Sequence, residues 1–251
     1  MNQIEPRRLL TFTIPAAIIA ALLGWLIGES KPMWVQPETR KIVTMGTVGW
    51  VPTTETTQAA ERATAARVNA VFGGLLGLSL GLAGGLATRS PRRGIIAGLL
   101  GMVGAALVGF GVSYAVIPLF HRFRDSLPDD MLASMIMHGA IWTSAAMIAG
   151  LALGLSLGRG VSRLGWIVLE AFLGATMGTV VFDVAGSILA TADRTGEPVS
   201  ASSMTRLAAR LLIAVSVAIG ASLGCKAWGK RGSKRDVAMP TDGTPFLSRT
   251  S

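Results

Sequence analysis

Five stretches of this chain contain no charged side chain: residues 9–28, 68–88, 94–120, 139–158 and 211–225. A sixth long apolar run, residues 164–192, carries only Glu170 and Asp183. About 20 consecutive apolar residues suffice to cross a bilayer as a helix. Few other environments accept helices that are apolar on every side. Only 15% of the 251 residues are charged, against about 25% in an ordinary soluble domain. The sequence therefore predicts an all-α, polytopic membrane helix bundle with six transmembrane helices, at about 9–28, 66–88, 94–119, 132–158, 164–191 and 206–227. Arg7 and Arg8 precede the first run as they would in a signal peptide. That run is too long for a signal-peptide core, however, and Gly28-Glu29-Ser30-Lys31 is not a small-x-small cleavage site. It is read as a retained helix.

Orientation follows from lysines and arginines in short loops. One set of connectors, Arg89-Ser90-Pro91-Arg92-Arg93 and Arg159-Gly160-Val161-Ser162-Arg163, is short, basic and free of acids. The opposite loops are longer and mix both signs. The expectation is an integral cell (inner) membrane protein with both termini in the cytoplasm. Lys226, Lys230, Arg231, Lys234 and Arg235 would then face anionic lipid headgroups. No basic stripe is interleaved with stacking aromatics, so nucleic acid is not an expected partner. The lone Cys225 excludes an internal disulfide, and no Cys/His cluster suggests a metal or another cofactor.

The string Gly77-Leu78-Ser79-Leu80-Gly81 recurs unchanged at Gly154-Leu155-Ser156-Leu157-Gly158, and nearly so at Gly220-Ala221-Ser222-Leu223-Gly224. All three copies fall on even-numbered helices near the cytoplasmic end. The odd-numbered helices each begin beside arginine. The pattern predicts three helix-hairpin repeats, about 7–88, 92–158 and 163–225, related by rotation about the membrane normal. The first hairpin carries an outer insertion at 29–65. Its segment Lys41–Val51 is β-prone with a turn at Met45-Gly46, and a threonine near 53 or 54 can cap the helix that follows. Residues 229–251 read as a disordered basic tail.

Glycines spaced by four line one helix face. Gly73, Gly77, Gly81 and Gly85 form one stripe, Gly150, Gly154 and Gly158 a second, and Gly220 and Gly224 a third. Shorter sets occur on the odd helices. Small residues let membrane helices approach backbone to backbone. The expectation is a glycine-zipper (GxxxG) packing of helices 2, 4 and 6 at their cytoplasmic halves. These faces are also compatible with a homo-oligomer or with another membrane subunit.

A G-x-S string can also mark a catalytic serine, which needs a base within about 3 Å. The histidines, His121 and His138, both belong to the outer half. His138 and Ser156 are eighteen residues apart on one helix, about 27 Å along the axis. A hydrolase is therefore disfavoured and no enzyme activity is expected. Ser79, Ser156 and Ser222 are expected to be packing residues.

Ionisable residues inside spans are costly and are functional candidates. Asp183, Arg210 and His138 fall in one layer of the outer half, and Thr179 stands one turn from Asp183. The expected polar site is an Asp183–Arg210 ion pair with His138 and Thr179 beside it. Two function classes follow. One is a small-solute or ion transporter or channel-like bundle using that layer. The other is a structural or accessory subunit of a membrane complex, in which the charges only fix helix register.

Overall fold

The computed structural model describes residues 6–30, 34–44, 47–126, 129–158 and 161–235. Six helices, each long and apolar enough to cross a membrane, form an all-α bundle. They are α1 (Pro6–Glu29), α2 (Thr54–Ala87), α3 (Pro91–Phe123), α4 (Asp130–Ser156), α5 (Val161–Leu189) and α6 (Ser203–Arg235). These spans mark an integral membrane protein. Two strands, β1 (Thr39–Thr44) and β2 (Thr47–Pro52), pair antiparallel between α1 and α2. Their register sets Thr44 opposite Thr47, and the expected turn residues Met45 and Gly46 lie outside the described residues.

Helix ends follow local chemistry. Thr53 caps α2 reciprocally. Its hydroxyl accepts from the Thr56 amide at 3.3 Å, and the Thr53 amide donates to the Thr56 hydroxyl at 2.9 Å. The helix then runs unbroken from the insertion into the second span. Asp129 caps α4 by accepting from the Met131 amide at 2.8 Å. Gly158, with φ +64°, is a left-handed residue that closes α4 rather than a member of its packing stripe. Thr53→Ala should lower bundle stability by about 1 kcal/mol in a denaturant titration in detergent. A loss below a few tenths of that would mean water satisfies the freed amide equally well.

α6 extends to Arg235, so residues 229–235 are helical where a disordered tail was expected. Residues 236–251 lie outside the described residues, and so do the side chains of Lys226, Lys230, Arg231, Lys234 and Arg235.

Each helix packs against its sequence neighbours, and α1 closes the ring on α6. Short connectors at 88–90, 124–129 and 157–160 impose this order from α2 to α5, because antiparallel helices joined by a few residues must lie side by side. The even helices sit inside. Their apolar windows are 56–61% buried, against 28–39% for the odd ones. The ring is not symmetric: α2 packs along α4, whereas α6 barely meets either. Leu9, Phe72, Leu76, Leu80, Leu153, Ile167, Ile213 and Val217 fill the core, with alanines between them.

The glycine stripes turn mainly toward odd helices, which corrects the expected meeting of helices 2, 4 and 6. On α2, a Cβ added at Gly77 would run into the backbone carbonyl of Gly101 on α3. One at Gly81 would stand 2.5 Å from Gly98, and one at Gly85 would collide with Gly94. Gly73 faces Ala105 of α3 and also Ala145 of α4. Gly150 and Gly154 meet Ala171 and Leu164 of α5. Gly220 and Gly224 meet the α5 backbone at Glu170 and Ile167. A direct even-to-even approach occurs at Gly84, whose Cα sits against the Ser156 side chain.

The hydroxyls of the three motif serines are all hydrogen-bonded within the bundle. Ser79 and Ser156 donate to carbonyls three residues back, at 3.1 and 2.6 Å. Ser222 shares a 3.0 Å hydrogen bond with Thr13 of α1.

Candidate functional site

α4 and α5 are antiparallel neighbours. His138 lies eight residues from the Asp130 end of α4, and Asp183 six from the Leu189 end of α5. At 1.5 Å per residue the two share a depth to within about 3 Å. Their faces also coincide. His138 Nδ1 stands 2.9 Å from Asp183 Oδ1, and the Ser134 hydroxyl donates to the same oxygen at 3.1 Å. Ser134 and His138 are one helical turn apart and 3.2 Å from each other. All three are nearly removed from contact with solvent, at 2–4% exposure. As a carboxylate, Asp183 Oδ1 accepts both bonds. Its other oxygen, Oδ2, is buried and has no hydrogen-bond partner among the described residues. Buried polar groups are nearly always paired, so an orphaned carboxylate oxygen calls for a donor.

An aromatic wall backs the cluster. The His138 ring stacks on Trp142 with centroids 4.5 Å apart and planes 1° from parallel. Phe182 meets both rings edge-on at 6.0 and 5.5 Å. Rotamer choice for the imidazole is thereby fixed by packing as well as by hydrogen bonds.

Above Asp183 a cleft of about 600 Å³ opens at the β-hairpin end of the bundle. Ser134 and Ser187 line it with Asp183, and Phe120 and Met131 give it apolar walls. Charged groups ring its mouth. Arg124 donates to Glu197 at 2.7 Å and to Asp130 at 3.4 Å. The bonded Glu197, then Asp130, push the Arg124 guanidinium above its ordinary pKa, so it is a fixed cation.

The expected layer is thus half assembled. Asp183 and His138 meet directly. Arg210 does not pair with Asp183. Its guanidinium turns toward α1, where Nη1 donates to the Gly24 carbonyl at 2.8 Å and the group lies against Gly28. A small cavity of about 50 Å³ that His138 and Arg210 both line is the remnant of the shared layer. The Thr179 hydroxyl bonds back to Ala175 of its own helix at 2.9 Å and leaves Asp183 alone. Shared depth alone does not make partners: angular position around the helix decides them.

Two features escaped sequence reading. Ser134 is the second donor to Asp183, and its i−4 spacing from His138 was the available signal. Arg206 forms a two-pronged pair with Glu29, with both N–O distances 2.7 Å, and this pins the end of α1 to α6. Beside it, Trp25 Nε1 donates to the Ser203 carbonyl at 3.1 Å. Among the described residues no cluster of three or more His, Cys, Asp or Glu could hold a metal ion. Compared with known proteins, the chain matches no family model, no curated protein and no solved structure, so its function is argued from this geometry alone.

Proposed function

We propose that this protein is a small-solute or ion transporter of the cell (inner) membrane, with both termini cytoplasmic. Its solute site is the Ser134–His138–Asp183 cluster under the cleft. The observation that carries the reading is Asp183 itself, 3% exposed and with one carboxylate oxygen unpartnered. A charge kept only to fix helix register gains most when both oxygens are satisfied. One left incomplete at the base of a cleft fits a group whose remaining partner is a transient ligand. The inside position of the even helices and the three G-x-S-L-G copies support three hairpin repeats about the membrane normal, with unequal contacts, since α2 packs along α4 and α6 barely meets either. That arrangement is akin to the parallel repeats of some carriers. The glycine contacts support a zipper that holds the half nearer the termini, and the basic loops there suit anionic lipids.

The alternative, a structural or accessory membrane subunit, is favoured by one observation. Backbone contacts at Gly81–Gly98 and Gly224–Ile167 close that half tightly, which limits the room for a path through it.

Solute flux into proteoliposomes separates the two. With a panel of amines, carboxylates and alkali ions on solid-supported membranes, wild-type protein should give a charge-displacement current for at least one class. Asp183→Asn should reduce that current at least about tenfold while the protein stays monodisperse. A current unchanged in Asp183→Asn, or none for any class, leaves the accessory reading.

A further inference from the structure

We propose that the cleft above Asp183 receives the ammonium head of a small organic cation, with the Asp183 carboxylate as its counter-charge. This rests on reading the Ser134–His138–Asp183 cluster as a solute site, and it names the class of solute.

The charges around the cleft favour a cation. Asp129, Asp130, Asp183 and Glu197 line it, against Arg124 and Arg194. Arg124 is already engaged by Glu197 and Asp130, so it offers little to an incoming anion. Among the described residues, Asp183 Oδ1 takes two donors and the buried Oδ2 takes none. A group that pairs with this oxygen is a hydrogen-bond donor. In a low-dielectric site a charged donor satisfies a carboxylate far better than a neutral one. The basic residue of the same layer, Arg210, is spent on Gly24 and does not fill the place.

The size and lining of the cleft favour an organic cation over a bare metal ion. A hard cation wants six or so oxygen ligands close around it. Of the hydroxyls lining the cleft, Ser134's is the one hydrogen-bonded to Asp183 among the described residues, well short of that number. The volume of about 600 Å³ exceeds what a single ion needs. Phe120 and Met131 offer apolar contact to an alkyl body whose ammonium reaches Asp183.

Charge selectivity at a cysteine in the cleft tests this without knowledge of the natural solute. Ser187→Cys is placed in the full chain with Cys225→Ser, which removes the native thiol. Cationic and anionic methanethiosulfonate reagents are compared, each normalised to its rate on a free thiol. The cationic reagent should react at least about threefold faster, because a local negative field concentrates it. n-Butylammonium should slow that reaction at least about twofold at millimolar levels, while butyrate and n-butanol leave it unchanged. Asp183→Asn in the same background should weaken the preference, since Asp129, Asp130 and Glu197 remain, and should remove the protection. If that variant does not fold, the wild-type reagent preference and the three-probe protection still decide. Equal rates, a faster anionic reagent, or protection by butyrate overturns the proposal. Protection by n-butanol equal to that by n-butylammonium also overturns it, since an apolar pocket alone would explain the result. Failure of this proposal is distinguishable from failure of the transport reading. Cation preference and protection without any flux would remove transport and leave the ammonium site. Flux of a carboxylate with anionic preference would remove the ammonium site and leave transport.

Discussion

Gly77→Leu should abolish recovery of a folded, monodisperse bundle, and even Gly77→Ala should lower stability by about 1–3 kcal/mol. The reason is local and geometric. A Cβ at position 77 would overlap the carbonyl group of Gly101 on α3, and backbone cannot swing aside as a flexible side chain does. The adjoining Gly81–Gly98 and Gly85–Gly94 contacts lie on the same two helices, so α2 cannot slide along α3 to relieve the overlap. Gly111, Gly139 and Gly165 are the matched controls. A Cβ at each would meet no atom within 4 Å. Alanine there should leave stability unchanged or raise it by up to about 1 kcal/mol, the helix-propensity gain over glycine. The readout is thermal aggregation of the purified protein in one detergent. If Gly77→Ala behaves like the three controls, the α2–α3 approach is not what holds this half of the bundle together.

The spans and the hairpin in the insertion were legible because their signals are one-dimensional. Charge-free runs give length and depth directly, and Thr53 before a helical pattern gives a start. What a stripe of glycines gives is a face that another backbone approaches. It does not say whose backbone. The repeated G-x-S-L-G string suggested that like meets like, at helices 2, 4 and 6. The three-residue connector at 88–90 instead forces α3 against α2, and the glycines of α3 answer those of α2. The polar layer failed in the same way. Asp183, His138 and Arg210 share a depth, but the rotation of α6 points Arg210 at Gly24 of α1, while α4 presents both His138 and Ser134 to Asp183. Ser134 could have been found, since it stands one turn before His138 on the same face. The orphaned Oδ2 could not, because it depends on which donors reach a single carboxylate.

That carboxylate gives the second large effect. His138→Phe should cost about 3–5 kcal/mol, because it leaves a buried charge with Ser134 as its one donor. Asp183→Leu should cost less, about 1–3 kcal/mol, since the His138 ring and the Ser134 hydroxyl lose one shared acceptor. The triple variant Ser134→Ala/His138→Phe/Asp183→Leu removes every polar member at once. Phenylalanine can keep the stack on Trp142, and leucine is close in shape to the aspartate it replaces. Its stability should return to within about 1 kcal/mol of wild type, because a buried polar cluster replaced by apolar groups of similar size is often neutral. If the triple variant is no more stable than His138→Phe, the three residues are not an energetic unit. Flux measured on the same protein then separates fold from function. A bundle that is stable without the cluster and carries no solute would retain it for the solute alone. A stable triple variant that still carries solute would mean that transport does not pass through Asp183.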